Sequence, residues 1–298
     1  LKWYPRKWRE RYGDEFVAYL DDELAGRRPT LRFLFSIALG AARERGHASG
    51  LLGAEHAPVT QVRAGSLLIF CAWSVFMFAG ASFSKLSEHS AQAMTNGTGS
   101  LARIGFDVVA SCGALGMILV LVGACVALPS FIALLRDDWP SIRPRVLVAL
   151  FSTTSVVGVL VPLAIWAHHL TESQRNGSDG AYSAAFVVWA ILIALTLVSW
   201  DRMVVQCVSM MNLSPRVLRV EAQLAAAVSL MMVAITVGAA LWWVDVARNA
   251  PWFLQGTTSA TASSPLTPNL IVTLGLMLGA ACLGAFGVRR IAHSWRRV

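Results

Sequence analysis

Apolar side chains gather along this 298-residue chain into six long runs, roughly 64–84, 107–135, 146–168, 181–200, 222–244 and 269–288. Each is long enough to cross about 30 Å of hydrocarbon as a helix, which takes roughly 20 residues. A charge at the centre of such a helix costs about 2.5–3.5 kcal/mol on the insertion scale, so charges should be pushed to the ends. Asp107, Arg136, Asp201, Asp245 and Arg289 all fall at the borders of the runs, and the spans are expected to hold no ionisable group centrally.

The first 60 residues carry a different pattern. Trp8, Tyr12, Phe16 and Leu20 recur every four residues, making one apolar stripe against Arg6, Lys7, Glu10, Arg11, Asp14 and Asp21. That spacing predicts an amphipathic helix, with Pro5 near its start. Arg27-Arg28-Pro29-Thr30 breaks it, and a second helix from about Pro29 to Arg45 sets Leu31, Leu34, Ile37, Ala38 and Ala41 on one side. Two such helices either pack as a hairpin or lie on the inner leaflet with their basic residues toward lipid headgroups. Residues 46–57 form the linker. The fold class expected is therefore an all-α membrane protein: a cytoplasmic helical module and linker over 1–60, then a six-helix transmembrane bundle over 61–298.

Composition and charge sharpen this picture. Only 14% of residues are charged, against roughly 25% in a soluble domain. The net charge of +8 could suggest nucleic acid, but its distribution argues against such a partner. The N-terminal 63 residues, the loops after the second and fourth runs, and the tail hold 21 Lys and Arg; the other three loops hold four, Lys85, Arg103, Arg175 and Arg248. The positive-inside rule places both termini in the cytoplasm and makes the basic balance a topology signal. Trp73, Trp166, Trp189, Trp200, Trp242 and Trp243 are assigned to the aromatic belts near span ends. Asn96-Gly97-Thr98 and Asn176-Gly177-Ser178 match the glycosylation sequon but read first as turns. A short re-entrant or interfacial helix is expected near Trp252, ahead of a Ser/Thr/Ala-rich stretch.

The string Trp3-Tyr4-Pro5-Arg6-Lys7-Trp8-Arg9-Glu10-Arg11-Tyr12-Gly13-Asp14-Glu15-Phe16 resembles the N-terminal module of a group of actinobacterial multi-pass membrane proteins. The resemblance covers about the first 45 residues and rests on Tyr4, Pro5, Trp8, Arg9, Arg11, Tyr12, Gly13 and Glu15. It is also similar to small helical modules that precede permease-like regions and are encoded beside transcription regulators of the PadR kind. It implies a bacterial plasma-membrane protein of this layout and transfers no activity.

Chemistry is sparse. There is no HExxH, no GxSxG and no CxxC, and the five cysteines sit in or beside apolar runs as small buried residues. No histidine falls mid-span, so neither haem nor any other cofactor is expected; the pair His168-His169 reads as an interfacial polar cap rather than a metal site. Hydroxyls at Ser152-Thr153-Thr154-Ser155 and Thr236 are expected to bond their own helix backbone. Gly275 and Gly279 form a GxxxG, continued by Gly284, for tight packing within the bundle or between copies in a homo-oligomer; Gly113, Gly116 and Gly123 thin one side of the second run. The stretch 136–145 reads as a short charged loop stiffened by two prolines, in which Asp137, Asp138, Trp139 and Arg143 form a candidate coupling element. The reading that fits best is a non-enzymatic membrane protein acting as anchor, sensor or accessory subunit. It would touch membrane lipid and bind a cytoplasmic or membrane protein through Trp8, Arg9, Arg11, Tyr12 and Phe16. The alternative is the membrane-spanning permease subunit of an ABC-type exporter.

Overall fold

A computed structural model describes residues 3–24, 29–48, 58–87, 100–171, 174, 180–211, 213–254 and 267–295. Among the described residues all regular structure is helical: α1 (Arg6–Leu24), α2 (Leu31–Ala48), α3 (Pro58–Ser87), α4 (Ser100–Asp137), α5 (Trp139–His169), α6 (Gly180–Met210), α7 (Pro215–Asn249), α8 (Pro251–Leu254) and α9 (Thr267–Trp295). Six of these, α3 to α7 and α9, are long and apolar enough to cross a membrane, and the chain is a multi-pass membrane protein. Both Asn-Gly turns, most of the linker and the Ser/Thr/Ala-rich stretch lie outside the described residues.

Every span is longer than its apolar run. Hydropathy registers only the part that must sit in lipid, whereas a helix continues until its backbone is capped or broken. The 38 residues of α4 extend for about 57 Å, nearly twice the hydrocarbon thickness. At α7, Pro215 fills the first turn and the Ser214 hydroxyl accepts a bond from Val217 N at 3.4 Å, so the helix begins seven residues before the apolar run.

The spans alternate in direction, with Pro58, Asp137, Met210, Pro215 and Trp295 at one end, called here the basic end. The pairs α3–α9 and α4–α7 pack most extensively and join into a four-helix core, whose α7 touches both α9 and α3. Each pair crosses at a glycine from either side. A methyl on Gly105 would lie 2.5 Å from the Gly238 carbonyl oxygen, and one on Gly238 would lie 2.8 Å from that of Gly105. Gly65 and Gly287 repeat the arrangement, a methyl on either lying 3.0 Å from the other's carbonyl oxygen. Without Cβ atoms the backbones come close enough for dispersion to act along the whole contact, which is what joins helices in lipid.

Large side chains fill the space between the pairs. Phe83 meets Trp242 edge-on at 5.2 Å, Trp73 stacks on Phe76 at 5.9 Å, and Met232, Leu270 and Met277 are fully buried beside them. The ring of Trp73 lies against Gly116. Trp73 and Trp242 are thus core residues and not part of an aromatic belt.

The remaining spans, α5 and α6, pack chiefly on each other. A smaller cluster of Leu134, Ile142, Ala149, Met203, Cys207 and Met211 ties their basic end to that of α4. The expected hydroxyl bonding is present: Ser152, Thr153, Thr154 and Ser155 each donate to a carbonyl in the preceding turn at 2.9 Å, as Thr236 does at 2.8 Å. A short helix does stand at Trp252: α8, a single turn whose Leu254 is buried in the core.

Candidate functional site

The N-terminal module is built around Tyr4. Its ring stacks on Trp8 at 4.0 Å and lies 5.3 Å from Phe16, which in turn meets Trp8 at 5.4 Å. This three-ring cluster gives α1 its register. From it the Tyr4 hydroxyl reaches across to α2, approaching the Ile37 carbonyl oxygen at 3.5 Å. It sits where a side chain on Gly40 would be, since a methyl there would lie 2.9 Å from the hydroxyl. Burial pushes the Tyr4 phenol above its ordinary pKa, and the nearby Glu44 carboxylate adds to the rise. On the α2 side, Thr30 caps the helix by accepting from Phe33 N at 3.3 Å. Neither α1 nor α2 packs extensively on any span.

The five residues expected to bind a partner divide accordingly. Trp8 and Phe16 are half-buried in the aromatic cluster, while Arg9, Arg11 and Tyr12 are exposed. Arg11 lies over the Tyr12 ring at 5.1 Å, so these two present one combined cationic and aromatic surface. The sequence stripe did not single out Gly40 or Ile37, because both serve Tyr4 from α2, which does not pack extensively on α1 itself as a hairpin would.

The stretch 136–145 is a helical corner and not a loop. Asp138 alone separates α4 from α5; its carboxylate accepts from the Ser141 hydroxyl at 2.6 Å, and Pro140 lies in the first turn of α5. A proline is tolerated there because early helical N–H groups have no intrahelical acceptor, so Pro140 starts a helix instead of stiffening a loop, while Pro144 lies inside α5 beyond its first turn. Ile142 is fully buried against the end of α6, and Gln206 Nε2 donates to the Ser141 carbonyl at 3.4 Å. Asp137, Trp139 and Arg143 are exposed on this rigid corner, with Asp138 half-buried at its hinge.

The expected packing glycines are only partly in place. Gly284 lies against Ser229 and Met232, but a methyl on Gly275 or Gly279 would meet nothing within 4 Å, and both are exposed. A GxxxG pattern identifies a thin helix face without saying what meets it, and α9 directs that face away from the bundle. The glycines that do the work are Gly65, Gly105, Gly238 and Gly287, with Gly116 beneath Trp73. The cysteines are unpaired, as expected, yet Cys125 and Cys282 are exposed rather than buried.

The charges at the borders of the runs make bonds between helices. α6 continues ten residues past the apolar run, so Asp201, at the border of that run as expected, lies within the helix about 13 Å from its end at Met210. The Ser74 hydroxyl, from the middle of α3, donates to Asp201 Oδ1 at 3.0 Å. Glu221 lies within α7 facing Gly123, and its Oε1 is buried without a hydrogen-bond partner among the described residues. Arg63 of α3 donates to the carbonyls of Ser209 and Met211 at 3.4 and 3.1 Å, capping the C-terminus of α6 from another helix. At the opposite end Asp245 is buried; it accepts from Ala102 N at 2.7 Å and from Asn249 Nδ2 at 2.6 Å. It supplies the α4 N-terminus with the acceptor that an N-cap side chain would otherwise give.

Among the described residues no His, Cys, Asp and Glu side chains come together as metal ligands. His168 and His169 end α5 exposed. The chain matches no protein-family model, no curated protein and no solved structure.

Proposed function

We propose that this is a non-enzymatic protein of the bacterial plasma membrane, with its basic end in the cytoplasm. Its N-terminal helices recruit a protein partner, and the bundle serves as anchor, sensor or accessory subunit. The observation that carries this reading is a helix, α1, locked from behind by the Tyr4, Trp8 and Phe16 rings, that offers Arg9, Arg11 and Tyr12 to the surroundings without packing extensively on the spans. Such a rigid aromatic and arginine surface is the composition that interface cores favour. The test is co-purification in mild detergent, comparing the intact chain with an Arg9→Glu, Arg11→Glu, Tyr12→Ser variant. The variant leaves Tyr4, Trp8 and Phe16 in place, and only the Tyr12 ring beside Trp8 is lost from their surroundings. A soluble protein recovered with the intact chain and lost with the variant supports recruitment; identical recoveries from both end it.

A second reading, the permease subunit of an ABC-type exporter, draws support from the corner at Asp138. A rigid helical turn exposing Asp137, Trp139 and Arg143 is the kind of element that transmits force from a soluble ATPase. Recovery of an ATPase subunit that is lost on Asp137→Lys, Arg143→Glu substitution would favour it over recruitment by α1.

A further inference from the structure

We propose that the outer face of α2 is a docking surface for an anionic lipid bilayer, so that α2 lies along the membrane surface beside the first span.

The helix has two faces with different occupants. Ile37, Gly40 and Ala41 face the Tyr4 side, and Glu44, the one acid of α2, is directed there as well. Facing away from it, Leu31, Phe35 and Leu39 are 86%, 70% and 62% exposed. Spaced one turn apart, they form a continuous apolar stripe that nothing in the chain covers among the described residues. Arg32 and Arg43 are exposed along one border of that stripe. An apolar stripe bordered by cations, with the acid turned to the other side, has the chemistry of a helix seated at the headgroup boundary: the aliphatic chains enter the acyl region and the arginine stems reach back to phosphates.

Covalent connection selects the bilayer over a protein in solution. Nine residues separate Ala48 from Pro58, the start of α3, so the end of α2 can be no more than about 35 Å from the span that follows. At that distance the stripe faces the membrane surface at a local concentration that no soluble partner matches. Anionic lipid attracts each nearby arginine further, within a Debye length. The proposal is independent of which partner α1 takes, because α1 directs Arg9, Arg11 and Tyr12 from the other helix of the module.

The test places the photo-crosslinking residue benzoylphenylalanine at Phe35, at Leu39 or, as control, at Asp14 on the charged face of α1, in the whole chain reconstituted in nanodiscs. One set contains phosphatidylcholine alone, the other adds one third phosphatidylglycerol. After irradiation, mass spectrometry should find lipid adducts at 35 and 39, several-fold fewer at 14, and more in the anionic set. Reversing Arg32 and Arg43 to Glu should remove the anionic advantage. Adducts confined to the chain itself or to a co-purifying protein would overturn the proposal, and equal yields in the two lipid sets would overturn its anionic part. The recruitment reading is tested by other residues and a different readout, so either can fail alone.

Discussion

The four-helix core and the α5–α6 pair solve the same problem in different ways. Both must join helices where lipid is as apolar as leucine and the hydrophobic effect offers nothing. The core does so by removing side chains: Gly105 meets Gly238 and Gly65 meets Gly287, and the rings of Trp73, Phe83 and Trp242 fill the remaining space. The α5–α6 pair keeps its side chains and fastens them with polar atoms. Trp200 Nε1 donates to Thr153 Oγ1 at 2.9 Å and Trp189 Nε1 to the Val156 carbonyl at 3.2 Å, while Phe151, Val161, Val187 and Leu195 remain exposed. The link between the two regions is polar at α3, through Ser74 to Asp201 and Arg63 to the end of α6, and apolar at α4, through Leu134 packed with Ile142, Ala149 and Met203. The difference teaches that a close backbone crossing permits a large buried core, whereas indole bonds hold a pair whose outer surfaces are left to the surrounding lipid.

The sharpest way to break this comparison is at the core glycines. Gly105→Leu should cost roughly 3 kcal/mol, because the displaced atoms are backbone on both sides and cannot rotate away. Gly279→Leu, on the exposed face of α9, should stay within about 0.5 kcal/mol. Unfolding of the two variants in increasing denaturing detergent measures the gap, and equal losses would mean that the glycine crossings do not organise the core. Next in size is Asp245→Ala, which leaves the N-terminus of α4 without its acceptor and should cost about 1–2 kcal/mol by the same assay. Asp245→Asn keeps one acceptor oxygen and should recover part of that loss; no recovery would show that the charge, and not the bond, is what α4 needs.

The junction separates the two regions directly. Arg63→Gln combined with Ser74→Ala should loosen the hold of α6 on α3 while the core stays folded, at a cost of about 1 kcal/mol. Hydrogen exchange should then rise in the basic-end half of α6 with α3–α9 still protected. Exchange rising equally in every span would show that the pair and the core are one cooperative unit.

How far this division was readable beforehand depends on the physics involved. The six spans follow from apolar run length, and the Ser152–Ser155 bonding follows from what a hydroxyl can reach on its own helix. Both are local. The pairing of Gly105 with Gly238 is not local: one glycine in a span looks like another, and Gly275-Gly279, the better motif, faces outward. Asp201 is the border residue that hydropathy places after Trp200, but hydropathy does not show that the helix continues to Met210 or that Ser74 meets the carboxylate. Asp245 and Arg63 also sit near span ends, and only the tertiary arrangement shows that each caps a helix other than its own. In the N-terminal module the stripe Trp8, Tyr12, Phe16 gave α1 correctly. Which ring would turn inward depended on Tyr4, which lies before the helix and outside its periodicity.

The smallest expected effect is the most diagnostic for the α5–α6 pair. Trp200→Phe removes the indole donor while keeping most of the ring, and Thr153→Val removes its acceptor while keeping the shape. If the bond is what fastens the two helices, each change alone should destabilise by about 0.6 kcal/mol, the usual worth of an interhelical hydrogen bond in lipid. The two together should then cost no more than either one, giving a coupling of the same size. Thr153 complicates this in an instructive way, because its hydroxyl also donates to the Ala149 carbonyl at 2.9 Å. A valine there loses both roles, but only the bond to Trp200 enters the coupling term. Additive losses would mean that the ring contact and not the bond holds α6 to α5, and the pair would then resemble the core more closely than its geometry indicates.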